Sequence, residues 1–339
     1  MSLIDYAREI KRKASELGFL GCGIIPTNVF DDYKDYLDKR VKSFPESKQF
    51  YERLYDNVRQ PENFKTIIVC TQRYNNYKEQ EKLKGLVGKC YLFDPRIPYS
   101  KENRATVEFE AWLKLLGLNV MQGKTPARLA AAKAGLGKIG RNNFFYDEEH
   151  GSYVWIITWV VDKVLEYDDV KENYLLPACN DSCQKCVSSC PTNALLDGFS
   201  MNMGKCITQL TCYSKAACAE ELRPKMGLWL YGCDECQDAC PCNNNKFREQ
   251  EEYPLLKEHE EYLNPERLLE MDEDSYENVV NPRFWYIGKD NLWLWKCNVL
   301  RYMVNAGDKK YHSLVKKYCD HEDQRLKDMA QWGARKLDL

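Results

Sequence analysis

Cysteine placement is the feature of this 339-residue chain that most limits what it can fold into. Eleven of the sixteen cysteines lie between Cys179 and Cys242. Such clustering favours metal binding over disulfide bonding, which is the usual role of many cysteines in small secreted domains. The other five cysteines are scattered among apolar neighbours and are predicted to be buried core thiols. Two motifs in the dense segment end in Cys-Pro, namely Cys179-x3-Cys183-x2-Cys186-x3-Cys190-Pro191 and Cys233-x2-Cys236-x3-Cys240-Pro241.

The spacing of these motifs predicts two [4Fe–4S] clusters. In bacterial ferredoxins the run is C-x2-C-x2-C-x3-C-P, and its fourth cysteine ligates the other cluster. On that rule, the first cluster is held by Cys179, Cys183, Cys186 and Cys240. The second is held by Cys190, Cys233, Cys236 and one upstream cysteine, for which Cys206 is preferred over Cys212 and Cys218. Structural zinc is the alternative, but paired C-x3-C-P endings are not its usual ligand pattern.

Hydrophobic periodicity predicts an α+β fold for the N-terminal part of the chain. Apolar spacings of three and four residues predict a helix over 4–17. Three apolar runs, 19–26, 65–71 and 153–161, predict buried strands, and the last is apolar on both faces and therefore central. Thr125 and Pro126 predict the start of a helix that Gly135 would end.

Composition changes after the cysteine segment. From Asn291 onward the pattern is helical, with a turn at Gly307-Asp308, which predicts a small C-terminal cap of HEAT-like helical repeats. The predicted domains are 1–172, an α/β layer domain, 173–250, a ferredoxin-like module with two clusters, and 251–339, the helical-repeat region.

Charge and hydropathy restrict the possible partners and the compartment. The formal net charge is −2, so no large electrostatic field favours DNA or a membrane surface. No apolar run approaches the roughly 18 residues of a spanning helix. The first residues lack the basic and apolar regions of a secretory signal. We therefore expect a cytoplasmic protein without a membrane or DNA partner.

A glycine-rich segment, 134–143, is the second informative stretch. Gly135, Gly137 and Gly140 permit close backbone approach to a bulky ligand. Residues 124–141 carry five basic and no acidic side chains, which suits an anionic group. The alternative interpretation is a packed turn beside a solvated basic face. The segment follows a predicted helix and precedes a strand, so it is not a dinucleotide-binding fingerprint.

Together these segments resemble the epoxyqueuosine reductase family, which is related to the reductive dehalogenases. The similarity runs along the chain and is most specific between residues 134 and 242. The matching residues are Ala134-Gly135-Leu136-Gly137-x-Ile139-Gly140-Arg141-Asn142, Gly151-Ser152, Cys190-Pro191-Thr192, Cys206-Ile207-x-x-Leu210-Thr211, Glu220-Glu221-Leu222-Arg223-Pro224 and Tyr231-Gly232-Cys233-Asp234-Glu235-Cys236-Gln237.

The resemblance implies a nitroreductase-like domain that holds a cobalamin beside the two-cluster module. It implies that electrons from an external low-potential donor pass through the clusters to the cobalamin, which removes an epoxide oxygen in the last step of queuosine synthesis on tRNA. It also implies corrinoid contacts in the glycine-rich segment, at Gly135, Leu136, Gly137, Gly140, Arg141 and Asn142.

The chain departs from the family pattern at the expected proton donor. The family carries an acidic residue three positions before the proline that is Pro126 here, and this chain has Gly123 there. A Glu that usually follows is replaced around Leu129, and the family's Cys-Pro-Trp-Asn is Cys-Pro-Cys-Asn with Cys242. Either another group donates the proton or the substrate differs. Candidate donors are Asp94, Tyr99 and Lys124.

Three functions are therefore compared. The first is a cobalamin- and [4Fe–4S]-dependent reductase of the epoxyqueuosine reductase type. The second is a small-molecule corrinoid reductase like the dehalogenases, and the third is an iron–sulfur electron-transfer protein that is not an enzyme. Residues 308–339 carry eight Lys or Arg and six Asp or Glu. This small positive excess leaves tRNA binding open.

Overall fold

The computed structural model describes residues 3–59, 61–179, 182–196 and 199–339. The helices are α1 Leu3–Glu16, α2 Tyr33–Ser43, α3 Lys48–Val58, α4 Lys89–Leu92, α5 Lys101–Leu115, α6 Ala127–Lys133, α7 Lys185–Ser189, α8 Ile207–Cys212, α9 Glu235–Asp238, α10 Leu256–Glu260, α11 Pro265–Glu270, α12 Glu273–Ser275, α13 Leu292–Ala306, α14 His312–Lys317 and α15 Gln324–Leu337. The strands are β1 Gly21–Pro26, β2 Thr66–Arg73, β3 Val120–Gln122, β4 Lys138–Ile139, β5 Phe145–Tyr146, β6 Val154–Val161, β7 Leu195–Leu196 and β8 Ser200–Met201. None of the described helices is both long enough and apolar enough to span a bilayer.

A four-stranded antiparallel sheet lies at the centre of the N-terminal part of the described chain. Its strand order is β1–β2–β6–β3, so β6 has a neighbour on each side. The predicted strands at 19–26, 65–71 and 153–161 are confirmed as β1, β2 and β6, and the prediction that the last is central is correct. An antiparallel sheet with helices packed on it is the α+β architecture.

Helices cover both faces of this sheet. On one face Ile10 of α1 and Phe109 of α5 are fully buried against Trp159 of β6, and the Phe109 and Trp159 rings lie 5.0 Å apart between centroids. On the other face the alanines of α6 pack closely on the strands. A Cβ added to Gly23 of β1 would lie 2.5 Å from the Ala134 Cβ, so the sheet and this helix meet through small residues.

The start of α6 differs from the prediction. Pro126 occupies the N-cap position, and Thr125 makes no capping hydrogen bond. Instead the Thr125 hydroxyl bonds the Thr158 hydroxyl of β6 at 2.8 Å. The tertiary partner therefore overrides the local capping preference of threonine. At the other end, Gly135 has φ +78°, which confirms the prediction that this glycine ends the helix.

The C-terminal helices pack on the cysteine segment. Leu292–Ala306, helix α13, is nearly all buried, and Gly307 follows it in the left-handed conformation, as predicted. Asn298 donates to the carbonyls of Thr211 and Leu230, both at 3.0 Å, and Arg301 donates to that of Gly227 at 2.8 Å. The predicted helices are confirmed, whereas the HEAT-like repeat arrangement and the domain boundaries stay predictions.

The glycine-rich segment packs against its own hairpin partner. Strand β4 pairs with β5. A Cβ on Gly137 would lie 2.2 Å from the Tyr146 carbonyl oxygen and 2.5 Å from the Phe145 ring, and one on Gly140 would lie 2.6 Å from the Tyr146 ring. Both glycines thus allow close approach within the protein. A side chain at 137 would therefore overlap the hairpin itself, which differs from the expected overlap with a ligand.

Replacing Gly137 by Ala should destabilise the free protein. The added methyl group has no space, and overpacking of this kind costs about 1–3 kcal/mol of unfolding free energy. Urea unfolding of the purified protein would measure the loss. Gly288→Ala is the control, because Gly288 has φ −60° and a Cβ there meets only the tip of the Asn291 side chain. Equal stability of the two variants would contradict the packing argument.

Candidate functional site

The first set of predicted ligands surrounds one recess. The residues Cys179, Cys183, Cys186 and Cys240 line one recess that is partly open to solvent. Three of these cysteines come from the first motif and Cys240 comes from the second. The structure therefore brings together the set that the ferredoxin rule selected from spacing alone.

Backbone N–H groups face the sulfur atoms. The Arg141 N–H donates to the Cys179 sulfur at 3.3 Å, and the Ala194 N–H donates to the Cys190 sulfur at 3.2 Å. Burial raises the pKa of the Cys186 thiol to about 11, with the neighbouring thiols adding to the shift. Donors aimed at sulfur oppose such shifts and favour thiolate, the form that binds iron.

The second set of predicted ligands also lies together. Cys190, Cys206, Cys233 and Cys236 interact electrostatically with one another. Cys206 is the N-cap residue of α8, and the N–H groups of Thr208 and Gln209 point at its sulfur. Those donors oppose the rise in pKa that burial causes at this thiol. Cys206 thus has both the position and the donors of a ligand.

The two alternative cysteines for the second set lie in other surroundings. Cys212 is fully buried next to Tyr91 and the Gly232 N–H. Cys218 lies beside the guanidinium groups of Arg223 and Arg301. Cys212 interacts with one member of the second set, Cys206. Cys206 itself interacts with the other three members, Cys190, Cys233 and Cys236. The geometry accordingly favours Cys206.

The predicted ligand thiols are arranged around a space and are not positioned to bind one metal ion. In the described ranges, no group of three or more His, Cys, Asp or Glu side chains could hold a single metal ion. A cubane of four irons and four sulfides is larger than one ion, so its ligands stand further apart. The recess lined by Cys179, Cys183, Cys186 and Cys240 has this form.

Motif residues outside the cysteines join the sheet to the cysteine segment. The Gln237 side-chain amide donates to the carbonyl and the hydroxyl of Ser152, at 3.0 and 2.9 Å. Asn243 accepts from the Ser152 N–H at 2.9 Å, and a Cβ on Gly151 would lie 2.4 Å from the Asn243 side-chain oxygen. The Gly151-Ser152 turn is therefore an internal docking point that has no room for a larger residue.

The end of the glycine-rich segment makes a second junction. Besides the Arg141 contact with Cys179, Asn142 donates to the Cys236 carbonyl at 2.9 Å and to the Tyr146 hydroxyl at 2.8 Å. Leu136 packs on Gly21 of β1. Of the six predicted corrinoid contacts, the structure thus places Gly137 and Gly140 in packing roles and Arg141 and Asn142 at the thiol sets.

A group of half-buried side chains lies beside the second thiol set. Cys90, Tyr213 and Tyr286 each keep part of their surface accessible. Burial nevertheless raises the pKa of all three, and that of Tyr286 reaches about 12 although Arg96 opposes the shift. Side chains that are accessible and yet closely surrounded indicate a recessed part of the surface, which we call the cleft. Cys212 interacts with Cys90 on one side and with Cys206 on the other, so the cleft adjoins the second set.

The three candidate proton donors occupy different environments. Asp94 is buried and holds the Arg96 guanidinium with both oxygens, at 2.9 and 2.6 Å. Tyr99 is 75% exposed and has φ +75°. Lys124 is exposed, with φ +64°. Gly123 itself has φ +75°, and a Cβ there would meet open space.

Sequence reasoning missed two groups that the fold assembles. One is the cleft wall, because its residues come from three separate segments, with Cys90 and Arg96 in the first, Tyr213 in the second and Tyr286 in the third. The other is a buried ionic cluster in which Lys89 contacts Asp238 at 2.8 Å, Asp234 at 3.4 Å and Glu79 at 3.7 Å. Burial raises the pKa of Asp234 to about 6, with Lys89 opposing. Nothing in the sequence around Lys89 indicates that its partner Asp234 lies 145 residues away.

Comparisons with known proteins agree with these observations. Residues 178–243 match the 4Fe-4S double cluster binding domain. An epoxyqueuosine reductase of Cellulophaga algicola is 28% identical over 81% of this chain and 89% of its own length. That of Escherichia coli is 38% identical over a shorter stretch, 34% of this chain and 29% of its own length.

Solved structures show the same fold. A selenomethionine-labelled epoxyqueuosine reductase superposes with a TM-score of 0.79 at 20% identity, covering 99% of this chain and 91% of the other. An epoxyqueuosine reductase in complex with an epoxyqueuosine-modified tRNA-Tyr stem loop superposes with a TM-score of 0.75 at 19% identity, and both chains are covered completely. The resemblance seen in the motifs is thereby confirmed: this chain is similar in sequence to the epoxyqueuosine reductases, shares their fold and contains a 4Fe-4S double cluster binding domain.

Proposed function

We propose that this chain is a cobalamin- and [4Fe–4S]-dependent reductase of the epoxyqueuosine reductase type that acts on tRNA in the cytoplasm. The observation that carries the proposal is the arrangement of two four-thiol sets, the second of which adjoins the cleft. When bound, the clusters carry single electrons and the cobalamin supplies the reductive chemistry. An external low-potential donor supplies the electrons.

The donor sets fit two clusters. All eight proposed ligands are cysteines, and each set includes thiols that accept hydrogen bonds from backbone N–H groups. Such bonds to ligand sulfurs tune the reduction potentials of iron–sulfur clusters. The proposed ligands are Cys179, Cys183, Cys186 and Cys240 for the first cluster and Cys190, Cys206, Cys233 and Cys236 for the second.

The cleft is the part of the described structure that we assign to the corrinoid. Its wall contains Cys90, Tyr213 and Tyr286, which are accessible and desolvated at once. The Asn143 side-chain nitrogen, next to the glycine-rich segment, is buried and has no hydrogen-bond partner among the described residues. A buried amide donor without a partner is costly unless a ligand satisfies it. Residues 1–172 would thus hold the corrinoid, and 251–339 would complete the cleft.

The proton donor is the part of the proposal in which this chain differs from its relatives. Opening an epoxide leaves an alkoxide that must be protonated, and Gly123 has no side chain to do so. One of the solved relatives, from Bacillus subtilis, has a catalytic loop named for an aspartate, swung out of the active site. Asp94 is paired with Arg96, and Tyr99 and Lys124 are exposed, so each is a weaker candidate than a cleft residue would be.

Iron content tests the ligand sets. After anaerobic reconstitution the protein should hold about eight iron atoms per chain, from two cubanes of four. Cys206→Ala should lower this to about four, whereas Cys212→Ala should leave it unchanged. Both substitutions remove one thiol from the same short segment, so they are a matched pair. Iron and sulfide analysis with electron paramagnetic resonance is the measurement.

Several outcomes would contradict the ligand assignment. Loss of iron in Cys212→Ala but not in Cys206→Ala would show that Cys212 is the ligand and Cys206 is not. Stoichiometric zinc without iron after reconstitution would exclude the clusters altogether.

Titration with cob(II)alamin tests the corrinoid site. The protein should change the spectrum of the cofactor, and Cys90→Phe should weaken binding at least about tenfold, because the larger ring projects into the cleft. Val107→Phe adds the same ring on the outer surface, where Val107 is 60% exposed, and should have no effect. An unchanged cobalamin spectrum with wild-type protein would instead favour an iron–sulfur electron-transfer protein.

The missing acid gives a third test. Wild-type protein should turn over epoxyqueuosine-containing tRNA slowly, and Gly123→Asp should raise the rate by roughly 10²-fold, the lower end for a positioned general acid. Gly123→Asn is the matched control, because it bears the same strain at φ +75° and cannot donate a carboxylic proton. Anaerobic turnover with a strong reductant is the measurement. A wild-type rate equal to that of an acid-bearing relative would show that another group donates the proton.

A further inference from the structure

Cationic and aromatic side chains alternate in a row that includes Tyr213 and Tyr286 of the cleft. The Arg53 guanidinium lies 5.1 Å from the centre of the Tyr213 ring, which lies 5.3 Å from the Tyr286 ring. Arg96 lies 5.2 Å from the Tyr286 ring and 5.0 Å from the Trp285 ring. We call these residues, Arg53, Tyr213, Tyr286, Arg96 and Trp285, the arginine–aromatic ladder.

The ladder is assembled from four separate parts of the chain and is held rigidly. Asp94 accepts hydrogen bonds from the Nε and Nη2 atoms of Arg96, and Nη2 also donates to the Tyr286 hydroxyl. The Tyr286 N–H donates to the Tyr231 hydroxyl at 3.0 Å. Preorganised side chains lose little entropy when a ligand binds. A ladder fixed in this way is suited to recognition.

The ladder leaves donors and ring faces accessible. The Arg96 side chain is 46% exposed. Its Nη1 atom makes no hydrogen bond to the described part of the chain, since its bonds there use Nε and Nη2. Arg53 is exposed, its guanidinium lies over the Phe50 and Tyr213 rings, and it forms no ion pair within the described part of the chain. Trp285 and Tyr286 are each half-buried. A purely structural set of such contacts would be fully covered.

Alternating guanidinium groups and ring faces match the chemistry of unpaired nucleotides. Single-stranded nucleic acids bind where bases stack on aromatic rings and where arginines reach the phosphates. We propose that the ladder holds unpaired nucleotides of an RNA loop, with a base stacked on Trp285 and a phosphate at Arg53. This inference rests on the proposed function and adds to it the surface that receives the substrate loop.

The two ends of the ladder should respond differently to salt. Asp94 neutralises Arg96, whereas Arg53 has no carboxylate partner in the described chain. Removing Arg53 should therefore reduce the salt dependence of binding by about one phosphate contact. Removing the Trp285 ring should weaken binding without changing that dependence, because stacking releases no counterion.

Fluorescence anisotropy with the full-length reconstituted protein tests the ladder. The probes are a labelled RNA hairpin with the loop of a tRNA anticodon arm and a blunt RNA duplex of equal length. Wild-type protein should prefer the hairpin. Trp285→Leu should weaken hairpin binding about tenfold at an unchanged salt slope. Arg53→Ala should weaken it and lower the slope by about one.

Matched controls exclude general effects of charge and folding. Arg12→Ala removes one positive charge from α1, where Arg12 already pairs with Glu9 and Glu16. Trp112→Leu removes a half-buried tryptophan from α5, outside the ladder. Both should bind the hairpin as wild type does. Iron content and thermal unfolding establish that each variant is folded.

The outcomes separate this inference from the proposed function. Equal binding of hairpin and duplex, or wild-type binding by Trp285→Leu, would overturn the ladder even if tRNA turnover is observed. Weaker cobalamin binding by Trp285→Leu with unchanged RNA binding would also overturn it, because the ladder would then belong to the cofactor site. Hairpin binding as predicted without turnover would retain the ladder and reject the reductase activity on that substrate.

Discussion

The exchange of one cysteine between the two motifs is the constraint on which the rest of the structure depends. Cys240 lines the recess formed by Cys179, Cys183 and Cys186, so the chain must return to its starting point after more than fifty residues. The intervening segment therefore folds, in its described part, into short helices and two paired strands of two residues each, β7 and β8, instead of long extended elements. Short elements of this kind have little core of their own. They need support from neighbours on both sides.

The sheet and the C-terminal helices give that support through backbone groups. Ser152, Gln237 and Asn243 link the sheet to the turn that follows the second motif. On the opposite side, Asn298 and Arg301 of α13 satisfy carbonyls at Thr211, Gly227 and Leu230. These buried bonds are costly to break, because each leaves an unsatisfied polar group. The cleft depends on the same bonds, since its wall combines residues from all three parts of the chain.

The parts that sequence alone predicted are those set by local spacing. The strands β1, β2 and β6, the left-handed Gly135 and Gly307, and the helices of the C-terminal region each follow from periodicity or turn chemistry. The thiol set of the first recess followed from a spacing rule. Thr125 was wrongly predicted to cap α6, because its partner Thr158 lies on a strand 33 residues later. Gly137 was predicted to make room for a ligand, but the group next to it is strand β5 of its own hairpin. Arg53, Arg96, Tyr213 and Trp285 meet only in the folded chain, and no local pattern marks them as a group.

The position of Cys240 has a consequence for how the protein is made. Synthesis proceeds from the N-terminus, and early segments fold first. The first three thiols of the first recess emerge long before Cys240, and α13, which covers the cysteine segment, emerges later still. A nascent chain therefore carries an incomplete set of reactive thiols until the second motif leaves the ribosome. The first recess can be completed only after the second motif has been synthesised, so cluster assembly at that recess cannot precede the emergence of Cys240.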